Sequence, residues 1–206
     1  MNKVNYSKEL DKLIENNIEN NKIPTLLLHS CCAPCSSYVL MFLSKYFKIT
    51  LLYYNPNIFP EEEYVKRVRE QERLINEMPF DNQVTFLEGR YIPQEFFDIA
   101  SEYAGEPEGG ERCFRCYELR MREAAKMACE GGFDYFATTL SISPLKNADK
   151  INEIGQKLEG EYKVKHLPSD FKKKNGYKQS VELSKEYGLY RQNFCGCIYS
   201  KTENTY

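Results

Sequence analysis

Pro24-Thr25-Leu26-Leu27-Leu28-His29-Ser30-Cys31-Cys32-Ala33-Pro34-Cys35 is the stretch that decides the fold. Its first half is a short, continuous apolar run, the pattern of a strand buried on both faces. Pro34 then suits the first turn of a helix, because proline lacks only an amide that a helix start leaves unpaired. A buried strand, a tight turn and a helix to about Tyr46 make the opening of a β–α unit.

The same alternation extends in both directions. Upstream, Leu10, Leu13, Ile14, Asn17 and Ile18 mark one face of an amphipathic helix. Downstream, a strand from Lys48 to Tyr54 ends at Asn55-Pro56-Asn57, and Pro60 with Glu61, Glu62 and Glu63 opens a helix at its positive end. A strand near Gln83 to Leu87, a short helix from Pro93 and a Gly- and Glu-rich loop from Gly105 to Glu111 follow. Next come a helix carrying Cys113 and Cys116 and closed by Gly131-Gly132, a strand from Phe133 to Thr138, and a helix from Asn147 to Leu158. A last strand spans Lys163 to His166, before a helix to Tyr187 that Gly188 stops. Strands alternating with helices predict an α/β single domain, a mostly parallel sheet with helices on both faces. The expected division is a helical extension over 1–22, a catalytic α/β domain over 23–200 and a tail over 201–206. Ligands of open α/β sheets bind outside the carboxyl ends of the strands. That points to the loops Ser30 to Cys35, Asn55 to Asn57 and Thr138 to Ser141, the first of which carries three thiols.

A chain of 206 residues can build a core without disulfides or a structural metal, so its eight cysteines need another explanation. They fall into Cys31, Cys32 and Cys35, then Cys113 and Cys116, then Cys195 and Cys197, with Cys129 alone. That grouping is ligand-like rather than a secreted disulfide scaffold. The longest apolar runs are too short to span a bilayer, so a cytoplasmic location with reduced thiols and no membrane partner is expected. A net charge of −2 gives no compositional sign of nucleic-acid binding.

Cys32-x-x-Cys35 and Cys113-x-x-Cys116 are pairs about 80 residues apart, far wider than in a zinc ribbon, and suit a site assembled by the whole fold. Four thiolates alone fit zinc or iron–sulfur equally, but five exceed what one zinc takes. Adjacent Cys31 and Cys32 fit neighbouring metals better than a single tetrahedral one. Cys195-Gly196-Cys197 is either a redox relay, a guard of the metal site or two ordinary thiols in a turn. Cys129 reads as a small buried hydrophobe.

These residues resemble the epoxyqueuosine reductases of the QueH type from Leu26 to Ser200. The likeness lies in His29-Ser30-Cys31-Cys32-Ala33-Pro34-Cys35, in Tyr54-Asn55-Pro56-Asn57 with Glu63, Tyr64 and Arg67, and in Arg112-Cys113-Phe114-Arg115-Cys116 through Arg120. Thr139-Leu140-Ser141-Ile142-Ser143-Pro144 and Tyr190-Arg191-Gln192 through Cys195-Gly196-Cys197 complete it. The resemblance implies cobalamin-independent, two-electron reduction of epoxyqueuosine to queuosine at the wobble base of tRNA. It implies a [4Fe-4S] cluster with an additional iron ion, carried by Cys31, Cys32, Cys113 and Cys116. Cys35 stands where some members carry Asp and is the expected remaining ligand; Phe59 stands where many carry His.

The fold implied is that of the PP-loop (adenine nucleotide alpha-hydrolase-like) enzymes, whose Ser-Gly-Gly-x-Asp-Ser loop holds phosphate. Here Ser30 to Cys35 has no glycine to bring amides onto a pyrophosphate, which argues against ATP use. Cys31, Cys32, Cys195 and Cys197 are the expected redox-active thiols, the last two as a disulfide-forming pair. Asn55, Asn57, Glu63, Arg67 and Arg191 are expected to bind substrate. His29 is a candidate proton donor or a hydrogen-bonded structural histidine. Arg112, Arg115, Arg120, Arg122 and Lys172-Lys173-Lys174 with Lys178 are the basic candidates for tRNA, Tyr64 a stacking or core residue, and the electron donor an unnamed external partner. The competing functions are a PP-loop-like tRNA sulfurtransferase and a non-catalytic zinc module that docks RNA or protein.

Overall fold

The computed structural model describes residues 4–203. Five parallel strands lie in the order β3-β2-β1-β4-β5. They are β1 (Thr25–His29), β2 (Lys48–Tyr53), β3 (Val84–Glu88), β4 (Tyr135–Thr138) and β5 (Lys165–His166). Among the described residues eight α-helices accompany them: α1 (Tyr6–Glu19), α2 (Ala33–Leu43), α3 (Glu61–Glu77), α4 (Pro93–Ala100), α5 (Glu111–Glu130), α6 (Ala148–Tyr162), α7 (Gly176–Glu186) and α8 (Ile198–Glu203). α1 lies within the expected extension over 1–22 and part of the expected tail belongs to α8, residues 1–3 and 204–206 lying outside the described residues.

β1 is central because its apolar run feeds both faces. Leu26 and Leu28 join the core under α1 and α2, while Leu27 joins the core under α5 and α6. Successive strand side chains point to opposite faces, so three consecutive buried leucines require helices on both sides. The last strand keeps only the final two residues of its expected span, because Lys163 closes α6 in the left-handed conformation.

The strand order reverses between β1 and β4. From β1 the chain winds outward through β2 and β3, then returns to β4 on the other side. His29 and Thr138 face each other in register at the two carboxyl ends. Loops leaving β1 and β4 diverge there and open a cleft, the usual ligand position in such sheets.

Candidate metal and substrate site

The turn after β1 is built by its neighbours. The Asn55 amide donates to the Ser30 carbonyl at 2.8 Å, Tyr53 OH to the Cys31 carbonyl at 3.3 Å, and Ser30 N–H to the Leu52 carbonyl at 3.0 Å. Beneath it His29 is fully buried, its ring against Thr138 Oγ1 at 2.9 Å and the Tyr54 carbonyl at 3.1 Å. A carbonyl only accepts, so Nε2 carries the proton and Nδ1 takes the Thr138 hydroxyl hydrogen. Burial, then the charge of Arg120, lower its pKa to about 4, so His29 is a neutral structural member of the floor.

Cys32 is the N-cap of α2 and Cys35 lies in its first turn, which places three sulfurs together. Cys31 and Cys32 Sγ are 4.0 Å apart, and all three sulfurs of Cys31, Cys32 and Cys35 lie within 4.8 Å of one another. Sulfurs about 2.3 Å from one tetrahedral metal stand just under about 4 Å apart. Adjacent Cys31 and Cys32 therefore stand close enough for one centre as well as for neighbouring metals. Three crowded thiols cannot all ionise together. Cys32 ionises first, its pKa held well down by hydrogen bonds from Cys31 and Cys35 and by the Arg67 charge. Cys35 is pushed well up by its hydrogen bonds with Cys31 and Cys32.

A second group of thiols faces the first. Cys113 and Cys116 on α5 share an adjoining gap with Cys195 and Cys197. Burial pushes the Cys116 thiol up to about 12 and also raises Cys197. The Gly109 amide donates to Cys113 Sγ at 3.2 Å, tying the Gly- and Glu-rich loop to this wall. Arg120 is buried between the groups, and its charge is felt by both Cys31 and Cys116. Among the described residues, Arg120 Nη2, Asn55 Oδ1 and Asn57 Oδ1 are buried without a hydrogen-bond partner. Soft sulfur donors around a buried cation whose Nη2 lacks an acceptor suit a thiolate-ligated, negatively charged metal–sulfur group.

The other expected residues divide. Arg191 lines the cleft and donates to Ser184 Oγ at 3.2 Å. Glu63 and Arg67 pair at 2.7 Å and hold the C-terminal segment: Arg67 Nη1 donates to the Cys195 carbonyl at 3.1 Å, and Tyr190 OH donates to Glu63. Arg67 is buried rather than part of a solvated charged face. Gly196 has φ +113°, and a Cβ there would meet Arg67 Nη1 at 3.0 Å, so the Cys195-Gly196-Cys197 turn needs glycine to lie on this arginine.

Arg112 and Arg120 are buried and cannot reach an RNA phosphate, while Arg115 and Arg122 form surface ion pairs with Glu111 and with Glu118 and Glu161. Lys172 pairs with Asp170 and Lys174 with Asp11. Tyr64 stacks on Tyr91 in the core. Cys129 is exposed instead of buried, because α5 presents Ala125 and Ala128 to the core and turns position 129 outward.

The cleft above both groups has a volume of about 260 Å³, with Cys31, Cys32, Cys35 and Cys195 in its wall. A larger hollow of about 680 Å³ runs along the flank of α3, is lined by Glu61, Lys66 and Arg73 among others, and holds no thiol. The chemistry belongs to the smaller one.

A family model described as Epoxyqueuosine reductase QueH matches residues 26–203, the span that carries every thiol in this wall. The chain belongs to the QueH family. Proteins named Epoxyqueuosine reductase QueH are 44% identical in Staphylococcus epidermidis, covering 96% of this chain and 85% of that one, and 42% identical in Streptococcus pyogenes, covering 96% and 78%. The Thermotoga maritima QueH is 37% identical, covering 87% and 91%. A solved chain titled as a predicted subunit of tRNA methyltransferase, from Methanocaldococcus jannaschii, aligns with TM-score 0.48 and 12% identity over 78% of this chain and 76% of its own. A likeness of that size assigns neither activity nor ligand to this QueH chain. Membership favours neither the sulfurtransferase nor the zinc-module alternative. Among the described residues, no helix is long and apolar enough to cross a membrane.

Sequence reasoning missed two residues of the QueH cleft. Lys146 lies just past the quoted Thr139-to-Pro144 stretch, its Nζ 3.0 Å from Glu108 Oε1 and 3.2 Å from Cys195 Sγ. Glu108 sits in the Gly- and Glu-rich loop, read only as a connection. The signal was positional, since Lys146 closes the loop after β4 at the strand-order reversal.

Proposed function

We propose that this protein reduces epoxyqueuosine to queuosine at the wobble position of tRNA in the cytoplasm. The observation that carries the proposal is the gathering of Cys31, Cys32 and Cys35 at the sheet's reversal point, in a chain of the QueH family. Cys31, Cys32, Cys35, Cys113 and Cys116 would hold a [4Fe-4S] cluster and an additional iron. Bound there, these groups supply single electrons and a Lewis acid.

The chain's own residues do the rest. Removing the epoxide oxygen as water takes two electrons and two protons. Cys195 and Cys197 release that number of each when they close to a disulfide, and an external reductant reopens it. Burial of Cys197 keeps its thiol protonated until exchange. Arg67 and Glu63 hold the Cys195 segment against the cleft, while Asn55 and Asn57 shape its thiol-bearing edge. Arg191 offers a cation at the rim for the RNA or the nucleoside's polar groups. A base of the anticodon loop enters splayed out of its stack, the usual way proteins read single-stranded RNA.

The test is anaerobic incubation of purified protein and a chemical reductant with tRNA carrying epoxyqueuosine, followed by nucleoside mass spectrometry. Conversion to queuosine with loss of one oxygen atom is expected. Unchanged epoxyqueuosine on protein that carries its full metal complement would refute the proposal.

A further inference from the structure

Lys146 is about 9% exposed, yet it carries a charge into the cleft. An ammonium has three N–H donors. Glu108 Oε1 at 3.0 Å and Cys195 Sγ at 3.2 Å take two, and no described residue accepts the third in a hydrogen bond from Nζ. Glu108 is more open, with a fifth of its side chain exposed, so it connects the buried ammonium to solvent. The residue thus stands between water and the thiol wall, on the loop that leaves β4 opposite the cysteines that follow β1.

We propose that Lys146 donates a hydrogen bond to the epoxide oxygen of the substrate and protonates it as it leaves, with Glu108 returning the proton from solvent. This rests on the reductase reading above. The two electrons of that reaction enter as the first C–O bond breaks, leaving the oxygen as an alkoxide on the neighbouring carbon. The alkoxide takes the Lys146 proton and becomes a hydroxyl. The electron pair left on the first carbon then forms the C=C bond and expels the oxygen as hydroxide, which takes the second proton from solvent and departs as water. Lys146, now a neutral amine, recovers its proton along Glu108.

The titratable and charged groups facing Lys146 are Glu108 from the loop, Tyr117 from α5 and Cys195 from the C-terminal segment; Lys172 Nζ donates to its carbonyl, and Arg112 and Arg120 lie further along the adjoining gap. Burial alone would lower the lysine pKa, but Cys195, Tyr117 and Glu108 hold it well above its ordinary value. The residue is therefore charged and ready to donate at neutral pH.

Two measurements test this. The first is binding of metal-free protein to anticodon stem-loop RNA bearing either the epoxide nucleoside or its alkene product. A hydrogen bond from a charged donor should give wild-type protein about a tenfold preference for the epoxide. K146M should lose that preference, whereas K146R should keep it. The second is single-turnover conversion after reduction with dithionite, which bypasses the thiol pair. Here K146M should be slower by about 100-fold or more, with iron content unchanged. K146R, a weaker acid, should also be slow, and E108Q should shift the pH profile of the rate.

Equal epoxide preference in wild type and K146M, with equal rates, would overturn the inference. So would a K146M defect that dithionite cures, since Lys146 would then act only through Cys195. If K146M does not fold, K146R and E108Q decide: wild-type rates and pH profiles in both overturn the inference. If wild type keeps its epoxide preference yet converts nothing, the reductase reading fails and the binding role stands.

Discussion

Cys31, Cys32 and Cys35 form one thiol group; Cys113, Cys116, Cys195 and Cys197 form another beside it, and only the first holds a thiol that its neighbours favour as thiolate. In the first, sulfurs crowd at the start of α2, so neighbouring thiols donate to Cys32 and favour its thiolate. In the second, the cysteines stand inside α5 and on the C-terminal segment, and burial keeps Cys116 and Cys197 protonated. The difference lies in the neighbours: Cys31, Cys35 and Arg67 act on Cys32, whereas burial is the largest influence on Cys116 and Cys197. A metal centre bridging the two would find Cys32 ready and would have to displace protons from Cys31, Cys35 and Cys116.

Breaking either group should have the largest effect. Cys31→Ser, Cys32→Ser, Cys113→Ser and Cys116→Ser should each cut turnover by about 1,000-fold or more, in line with loss of a directly acting group. Cys129→Ser should stay within about twofold, as an exposed surface change does. Cys35→Asp should retain more activity than Cys35→Ala, because a carboxylate still offers a ligand. Iron content and nucleoside mass spectrometry on the same samples check all of these, and loss of the metal in Cys129→Ser would contradict the assignment.

Next in size is the charge between the groups. Arg120→Met removes the buried cation without touching a sulfur, and metal affinity should fall by about 10- to 100-fold, as for outer partners of other metal sites. Competition with a chelator measures it; unchanged affinity would mean that Arg120 serves packing alone.

The two sides should also differ in pH response. His29, under the first group, has its pKa lowered to about 4, so its contribution to stability is complete above about 6.5 and is lost as pH falls through about 4. His166, lowered to about 4 by burial away from the site, adds to the same acid loss. Cys116, in the second group, is raised from 9.0 to about 12, so its contribution is complete below 9 and disappears as pH rises through about 12. Thermal melts of metal-free protein should show His29→Gln with a shallower acid limb and Cys116→Ala with a shallower alkaline limb. The reverse pairing would contradict the comparison.

The smallest effect concerns RNA. Replacing Lys172, Lys173 and Lys174 together by Ala should weaken tRNA binding only a few-fold and flatten the salt slope by about one unit or less, since each phosphate contact contributes about one. Lys172 and Lys174 are already engaged with Asp170 and Asp11. Filter binding across a salt series tests this, and a slope change near three would place the whole run on phosphate.

The fold was legible because β1 states it twice, in three consecutive leucines and in the proline that starts α2. The first thiol group was legible for the same reason, lying on one continuous turn. Periodicity does not reveal which arginines turn inward. Arg112 and Arg120 look like surface cations, and only the packing of α5 against the sheet buries them. Nor does spacing reveal that Glu63 and Arg67 clasp a segment about 128 residues later in the chain. Lys146 escaped notice because a lone lysine in a loop carries no pattern, and its meaning comes from Glu108 and Cys195 beside it.

The claim that both thiol groups build one metal–sulfur centre is tested most directly by elemental analysis of protein purified without oxygen. Iron and acid-labile sulfide per chain would be measured for wild type, for Cys32→Ser and for Cys116→Ser. A brown wild-type protein with iron and sulfide, both lost in each variant, is the expected result. A colourless protein with one zinc per chain and no sulfide after reconstitution, or a cluster that survives loss of either cysteine, would contradict it.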